Sequence, residues 1–282
     1  MFQFRQKFPI LRKVRVIRKN NFKKVKNILS TILLTTMFLL SSYTPLEVQA
    51  YKVRTLVIDA GHGGKDPGCH GAKSNESHVA LAVAVEFARI VKENLPEVKV
   101  ILTRDTDHFV ELHERANIAN KANADLFISI HCNSGPSAAY GTETFTMGLH
   151  KTEGNLSLAK RENDVIKDED NYLEKYDGFD PDSPETHILM SLFQNAYIKN
   201  SINLAGKIEH QFSKRVSRHS RGVKQAGLLV LWKTTMPSVL IELGFLTNHN
   251  EEAYLNNKYN QVLMASGIYR AFKEYKIELE NQ

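Results

Sequence analysis

Two histidines end apolar runs of this 282-residue chain. His62 follows LVIDAG (56–61) and His131 closes DLFISIH (125–131). Runs of that kind read as buried strands, and open parallel sheets bind ligands beyond the carboxyl ends of their strands. Both imidazoles are thus expected at one sheet edge, where Gly61, Gly63, Gly64 and Gly68 permit tight turns and close backbone approach. Glu76 opens a helical pattern behind Ser74 and Asn75, residues suited to a helix cap. Two imidazoles, one carboxylate and an open position are the usual arrangement of a catalytic zinc site. Hydrolysis there also needs a proton carrier. Glu242 supplies a carboxylate inside the apolar run PSVLIELGF (237–245), where an unpartnered charge is costly. Catalysis would account for it, and so would an edge-strand face or a buried ion pair.

Other chemistries fit less well. The glycine-rich loop matches neither G-x-x-x-x-G-K-[ST] nor G-x-G-x-x-G, HERAN (113–117) lacks the second histidine of H-E-x-x-H, and no G-x-S-x-G is present. Cys132 follows His131, but strand neighbours point to opposite faces, which argues against a Cys–His dyad. His70, His78 and His113 end no strand, so a loop rim or a helix face accounts for them.

The positioning elements alternate. Strands are expected at 54–60, 98–104, 125–132, 141–148, 227–231 and 237–245, and helices at 76–95, 111–122 and about 258–275. That order predicts an α/β fold, a single domain with a largely parallel central sheet covered on both faces. Residues 162–185 break the rhythm with ten acidic and two basic side chains. They read as an insertion leading through a Ser183 cap and Pro184 into one long helix, whose apolar pairs at 188/189, 192/193, 196/197 and 204/205 share a face.

Residues 1–26 carry ten basic and no acidic residues, and 28–42 are free of charge. With small residues at the −3 and −1 positions in VQA (48–50), this reads as a secretory signal peptide cleaved after Ala50, although an internal start such as Met37 stays open. The apolar run is shorter than the roughly 20 residues a spanning helix needs, so no stable membrane span is expected once the signal is removed. Without residues 1–50 the chain keeps 27 basic and 30 acidic residues, a formal charge of −3, and gives no electrostatic reason to expect nucleic acid. Cys69 and Cys132 could pair in an exported protein, and small buried thiols are the simpler reading.

Six stretches, VIDAGHGGKDPG, Glu76 before its helix, TRDTD…ELHERANIAN, ADLFISIHCNS, GTETF and MPSVLIELGFLTN, together resemble one family. It is that of the zinc-dependent N-acetylmuramoyl-L-alanine amidases of the AmiC (amidase-3) type, cell-wall hydrolases of cell division. The resemblance runs from about Val53 to Lys276. It implies a phosphorylase/hydrolase-like sheet, Zn2+ held by His62, Glu76 and His131, Glu242 as the catalytic carboxylate, and peptidoglycan as substrate. A zinc peptidase or deacetylase on the same scaffold and a non-catalytic wall-binding regulator are the alternative readings. Arg104 and Arg115 are expected to pair locally with Asp105 or Glu114, Asn133 to orient His131 or substrate, and Glu143 is a second carboxylate candidate. Positions 69 and 132, where the family usually has small residues, hold cysteine, and no wall-binding repeat follows the domain. The resemblance further implies export, to the periplasm of a Gram-negative bacterium or outside the cell. It also makes residues 150–200 a segment covering the active site until a protein activator docks on it. Glu162, Asp168 or Glu169 would then block the zinc.

Overall fold

The computed structural model describes residues 9–41, 51–149, 152–191 and 196–281, in two units, Met1–Gln49 and Ala50–Gln282. The first contains α1 (Pro9–Ser41), which takes in nearly all of the charge-free run. Its side chains from 21 to 38 are exposed. No helix among the described residues is long and apolar enough to cross a membrane. The VQA site and the expected cleavage point lie outside the described residues.

Six strands of the second unit form one sheet: β1 (Thr55–Ala60), β2 (Lys99–Leu102), β3 (Leu126–Asn133), β4 (Thr142–Met147), β5 (Ser220–Ala226) and β6 (Ser238–Phe245). Their spatial order is β2-β1-β3-β6-β4-β5, and only the β4–β6 pair is antiparallel. The strands read as continuous apolar runs because both faces are buried. On one face Ile58, Ile130 and Ile241 pack with α2 (Glu76–Asn94), α7 (Ile198–Arg215) and α10 (Lys258–Glu280), chiefly through Phe87, Phe212 and Phe272. On the other, Val57, Phe127, Phe145 and Leu240 meet α3 (Leu112–Lys121), α4 (Glu153–Asp164) and the chain beyond it. That chain runs through a tight turn (Val165–Asp168), α5 (Tyr172–Lys175) and α6 (Pro184–Ser191). It buries Ile166, Tyr176, Phe179 and Met190, so the acidic insertion is part of the second layer. Residues 150, 151 and 192–195 of the expected cover segment lie outside the described residues.

Two expectations are corrected. GLLVL (227–231) is not a strand: α8 (Leu229–Trp232) forms there, and the strand is the more polar β5 just before it. The reason is Asn163, whose side chain donates to the Gly227 carbonyl (2.8 Å) and accepts from the Leu229 N–H (2.9 Å), so these groups are not available to a ladder. Nor is the chain from Pro184 one helix, since α6 ends at Ser191 and α7 starts at Ile198. Ser183 does accept a capping bond from the Thr186 N–H (3.4 Å). The apolar pairs do not share a face, because Ile188 and Leu189 are exposed whereas Leu204 and Ala205 are buried.

Candidate active site

Strand register places the first two site residues. His131 on β3 lies beside Glu242 on β6, and Glu242 lies beside Glu143 on β4. Side chains alternate along strands, so this row shares the face of Asp59 and Ser129, while Cys132 packs into the opposite core. A bulge between β3 and β6 follows immediately, and bulges beside a site re-aim side chains.

β1 stops at Ala60, and His62 then adopts a left-handed backbone with φ of 61°. Such a conformation costs a non-glycine residue about 1–3 kcal/mol unless its surroundings hold it. Here two buried guanidinium groups do so. Arg104 donates to the carbonyls of Ala60 (2.8 Å) and Gly61 (2.6 Å), and Arg115 to those of Ala60 (2.7 Å) and His62 (2.9 Å). Arg115 also pairs with Asp59 at 2.8 Å, and Thr103 and Ser129 donate their hydroxyls to the same carboxylate. Burial raises the Asp59 pKa, but Arg115 and the two hydroxyls outweigh it and hold the carboxyl below its usual range. The arginines therefore brace the strand end rather than pairing with Asp105 or Glu114. Two glycines are required beside them. A Cβ on Gly61 would stand 2.4 Å from the His131 ring, and one on Gly68, at φ +68°, would meet Glu76 and His62 at 2.7 Å.

Four buried residues converge on one point: His62, Glu76, His131 and Glu162, whose ligand atoms lie within 4.8 Å of one another. Glu76 Oε1 is 3.0 Å from His62 Nε2 and 3.0 Å from His131 Nδ1. Glu162 Oε2 is 3.3 Å and 3.0 Å from the same two nitrogens, which are 3.2 Å apart. Ligand atoms about 2.0–2.1 Å from a tetrahedral zinc stand about 3.3–3.4 Å apart, so the donor set matches such an ion in size and chemistry. Glu162 Oε2 is buried yet makes no hydrogen bond, as expected of an atom aimed at the centre of the group.

Outer contacts orient these ligands. His62 Nδ1 faces Asp66 Oδ2 at 2.7 Å, which turns Nε2 inward. Glu76 accepts the backbone N–H groups of Cys69 and Cys132, each at 2.9 Å, and both cysteines are free thiols. Burial would lower the pKa of His131, but Glu162 and Glu76 lift it to about 9. Asn75 holds the N-cap position of α2 without a side-chain cap bond, its Oδ1 facing His70 Nδ1 at 3.0 Å. His70 and exposed His78 stay outside the group, as the sequence suggests.

Glu242 is fully buried, and neither of its carboxylate oxygens has a hydrogen-bond partner. Burial, with the charges of Glu162 and Glu76, pushes its carboxyl well above the usual range, and Arg161 and His131 offset only part of this. Arg161 Nη2 is 3.8 Å from Glu242 Oε1, and the guanidinium also reaches Glu162 Oε1 (2.9 Å) and Asn133 Oδ1 (3.2 Å). Asn133 contacts Arg161 and Glu143 rather than His131.

Of the three acidic residues considered as blockers, only Glu162 enters the group. Asp168 lines the outer rim, and Glu169 is engaged by the Tyr176 hydroxyl (2.8 Å) and the Leu112 N–H (3.0 Å). A sequence signal for Glu162 exists. The buried residues of α4 are Asn155, Leu158, Ala159, Glu162 and Asn163, a helical stripe in which Glu162 occupies a core-facing place. Arg161 and Asp66 had no comparable signal.

The family of N-acetylmuramoyl-L-alanine amidases (Amidase_3) matches residues 56–274. The chain belongs to this amidase family. N-acetylmuramoyl-L-alanine amidase AmiA of Escherichia coli K12 is 34% identical over 235 residues, covering 81% of this chain and 78% of that protein. The uncharacterised protein YqiI of Bacillus subtilis is 31% identical over 222 residues, covering 79% and 84%. Among solved structures, the catalytic domain of the amidase CwlV from Bacillus (Paenibacillus) polymyxa is 31% identical with a TM-score of 0.58, covering 79% of this chain and 97% of that one. An amidase of this family acts on peptidoglycan, outside the cytoplasm, and its sheet is the α/β scaffold the strand pattern predicted.

Proposed function

We propose that this amidase is a zinc enzyme held inactive by α4 until a protein partner draws the helix away. The observation that carries the reading is Glu162 Oε2, 3.0 Å from His131 Nδ1 and 3.3 Å from His62 Nε2, in the place a substrate oxygen would need. His62, Glu76 and His131 would hold the metal, and Glu162 would fill its fourth position. A zinc ion held there would supply Lewis-acid polarisation of the amide carbonyl and would lower the pKa of the attacking water. Glu242 takes the proton from that water and delivers it to the departing L-alanine nitrogen. Its position supports the role, since Glu242 is buried beside His131 in strand register and both of its carboxylate oxygens are free of hydrogen bonds.

The partner docks on residues 150–200, where α6 presents Leu189 at 68% exposure. Residues 1–50 direct export, to the periplasm or beyond the cell, and the amidase serves cell separation there. Their basic start and charge-free run support this.

Purified chain is assayed for bound zinc and for release of stem peptides from isolated peptidoglycan, beside Glu162→Ala and Glu242→Gln. The expected outcome is zinc in all three, low activity in the wild type, activity at least tenfold higher in Glu162→Ala, and a loss of about 10²–10⁴-fold when Glu242→Gln is added to it. Deletion of 162–185 is a poorer test, because it also removes the buried Ile166, Tyr176 and Phe179. A Glu162→Ala chain no more active than the wild type sinks the blocking role.

A further inference from the structure

Beside the metal group, Asn133, Glu143, Arg221, Lys224 and Phe245 form the sheet side of a cavity of about 320 Å3 whose other wall is α4, and this sheet side would stay in place when α4 is drawn away. Its charge is unbalanced. Arg221 Nε and Lys224 Nζ both donate to the same oxygen of Glu143, Oε1, while Glu143 Oε2 accepts from Asn133 Nδ2 at 3.2 Å. One carboxylate faces two cations, so the group carries a net positive charge. The two terminal nitrogens of Arg221 make no hydrogen bond among the described residues, and the guanidinium lies 5.1 Å from the Phe245 ring. An ion pair that served only to neutralise Glu143 would need neither the second cation nor an open fork. That planar fork matches a carboxylate in bidentate geometry, which lysine alone does not.

The cavity is also in the right place. Glu143 is the strand neighbour of Glu242, so their Cβ atoms are about 4.5–5.5 Å apart. In a stem peptide the residue after L-alanine is a glutamate linked through its γ-carboxyl, which leaves its α-carboxylate free. Arg221 and Lys224 belong to β5, one strand further out, but their side chains reach back to Glu143, whose strand lies about 5 Å from that of Glu242, and two extended residues span about 7 Å.

We propose that Arg221 and Lys224 form a subsite for the free α-carboxylate of the second stem residue, giving preference for stems that carry the acid over stems that carry its amide. The inference rests on the amidase reading of the neighbouring site and adds to it the chemistry of substrate selection. Glu143 holds the two cations in register on β5, and Arg221 makes the forked contact.

The test uses the full zinc-loaded chain carrying Glu162→Ala and two synthetic muropeptides that differ only in carboxylate or carboxamide at that position. A charge-assisted pair predicts a ratio of kcat/KM favouring the acid by about tenfold to hundredfold. Adding Arg221→Met brings the ratio close to one, and Arg221→Lys restores part of it. Equal cleavage of both stems, or a preference unchanged by Arg221→Met, overturns the subsite while leaving the amidase reading intact. Calorimetric titration of the same chains with L-Ala-γ-D-Glu and its α-amide reads the cavity without turnover. A chain that cuts neither stem yet binds the acid dipeptide more tightly, in an Arg221-dependent way, overturns the reading of the reaction and upholds the subsite.

Discussion

At Gly61 the absent side chain is what admits the His131 ring, since an added Cβ would stand 2.4 Å from it. Gly61→Ala is expected to push the imidazole off the metal position and weaken zinc binding by about tenfold to hundredfold, the range seen when ligand orientation is lost. Competition with a fluorescent chelator measures it, and unchanged affinity would mean the ring tolerates the shift. The meeting of His62, Glu76 and His131, and the burial of Glu242 beside His131, were legible because each carries a local signal: a strand end, a helix start, or a charge in an apolar run. Glu162 was not ranked above Asp168 or Glu169, because the choice depends on which side of α4 meets the sheet, and the helical stripe that separates them is read only once α4 is placed. The arginines were misread for the same kind of reason. Arg104 and Arg115 have acids beside them in sequence, but they are buried and their donors find carbonyls that β1 leaves unpaired at its end.

Among the elements, the β1 end depends on the Asp59–Arg115 pair. Asp59 has a folded pKa below its unfolded value, so its contribution is fully present above about pH 4 and is lost as pH falls through the folded pKa. Asp59→Asn leaves Arg115 buried without a counter-charge and is expected to cost about 3–5 kcal/mol at pH 7. Urea unfolding at several pH values checks both parts, the loss at neutrality and the narrowing gap to wild type in acid. The strands β1, β3 and β6 were legible because two covered faces make them apolar throughout. β5 escaped because SRGVKQA is an edge strand with two exposed or half-exposed cationic residues, and charge on an edge protects it from stray pairing. GLLVL misled for the opposite reason: burial alone makes a segment apolar, and Asn163 rather than a neighbouring strand takes its backbone groups.

For the whole molecule, the segment that follows α4 is fastened to the rest of the fold by residues outside the His62–Glu76–His131–Glu162 group. Lys175 donates to Glu111 at 2.8 Å, Tyr176 receives the His113 N–H at 2.9 Å, and Lys65 reaches the Asp168 carbonyl. Tyr176→Phe leaves that N–H without an acceptor and the Glu169 carboxylate without one of its donors, a change of about 1–3 kcal/mol at the fastening point. If closure of α4 depends on this clasp, basal activity and hydrogen exchange in α4 both rise by about tenfold, and a rise in neither would show that the clasp and the helix move independently. Mass spectrometry of the exported protein is expected to find Tyr51 at its N-terminus, and a form retaining residues 1–50 would contradict the signal assignment. Glu162 belongs to the same chain as the His62, Glu76 and His131 group it faces, so its local concentration is fixed and dilution cannot release it. On the proposed reading, a closed molecule would screen its zinc from scavengers, and the loss of metal to excess chelator would be a clock for the opening of α4. That clock would run at one pace at every protein concentration, and it would quicken if a partner held the helix aside.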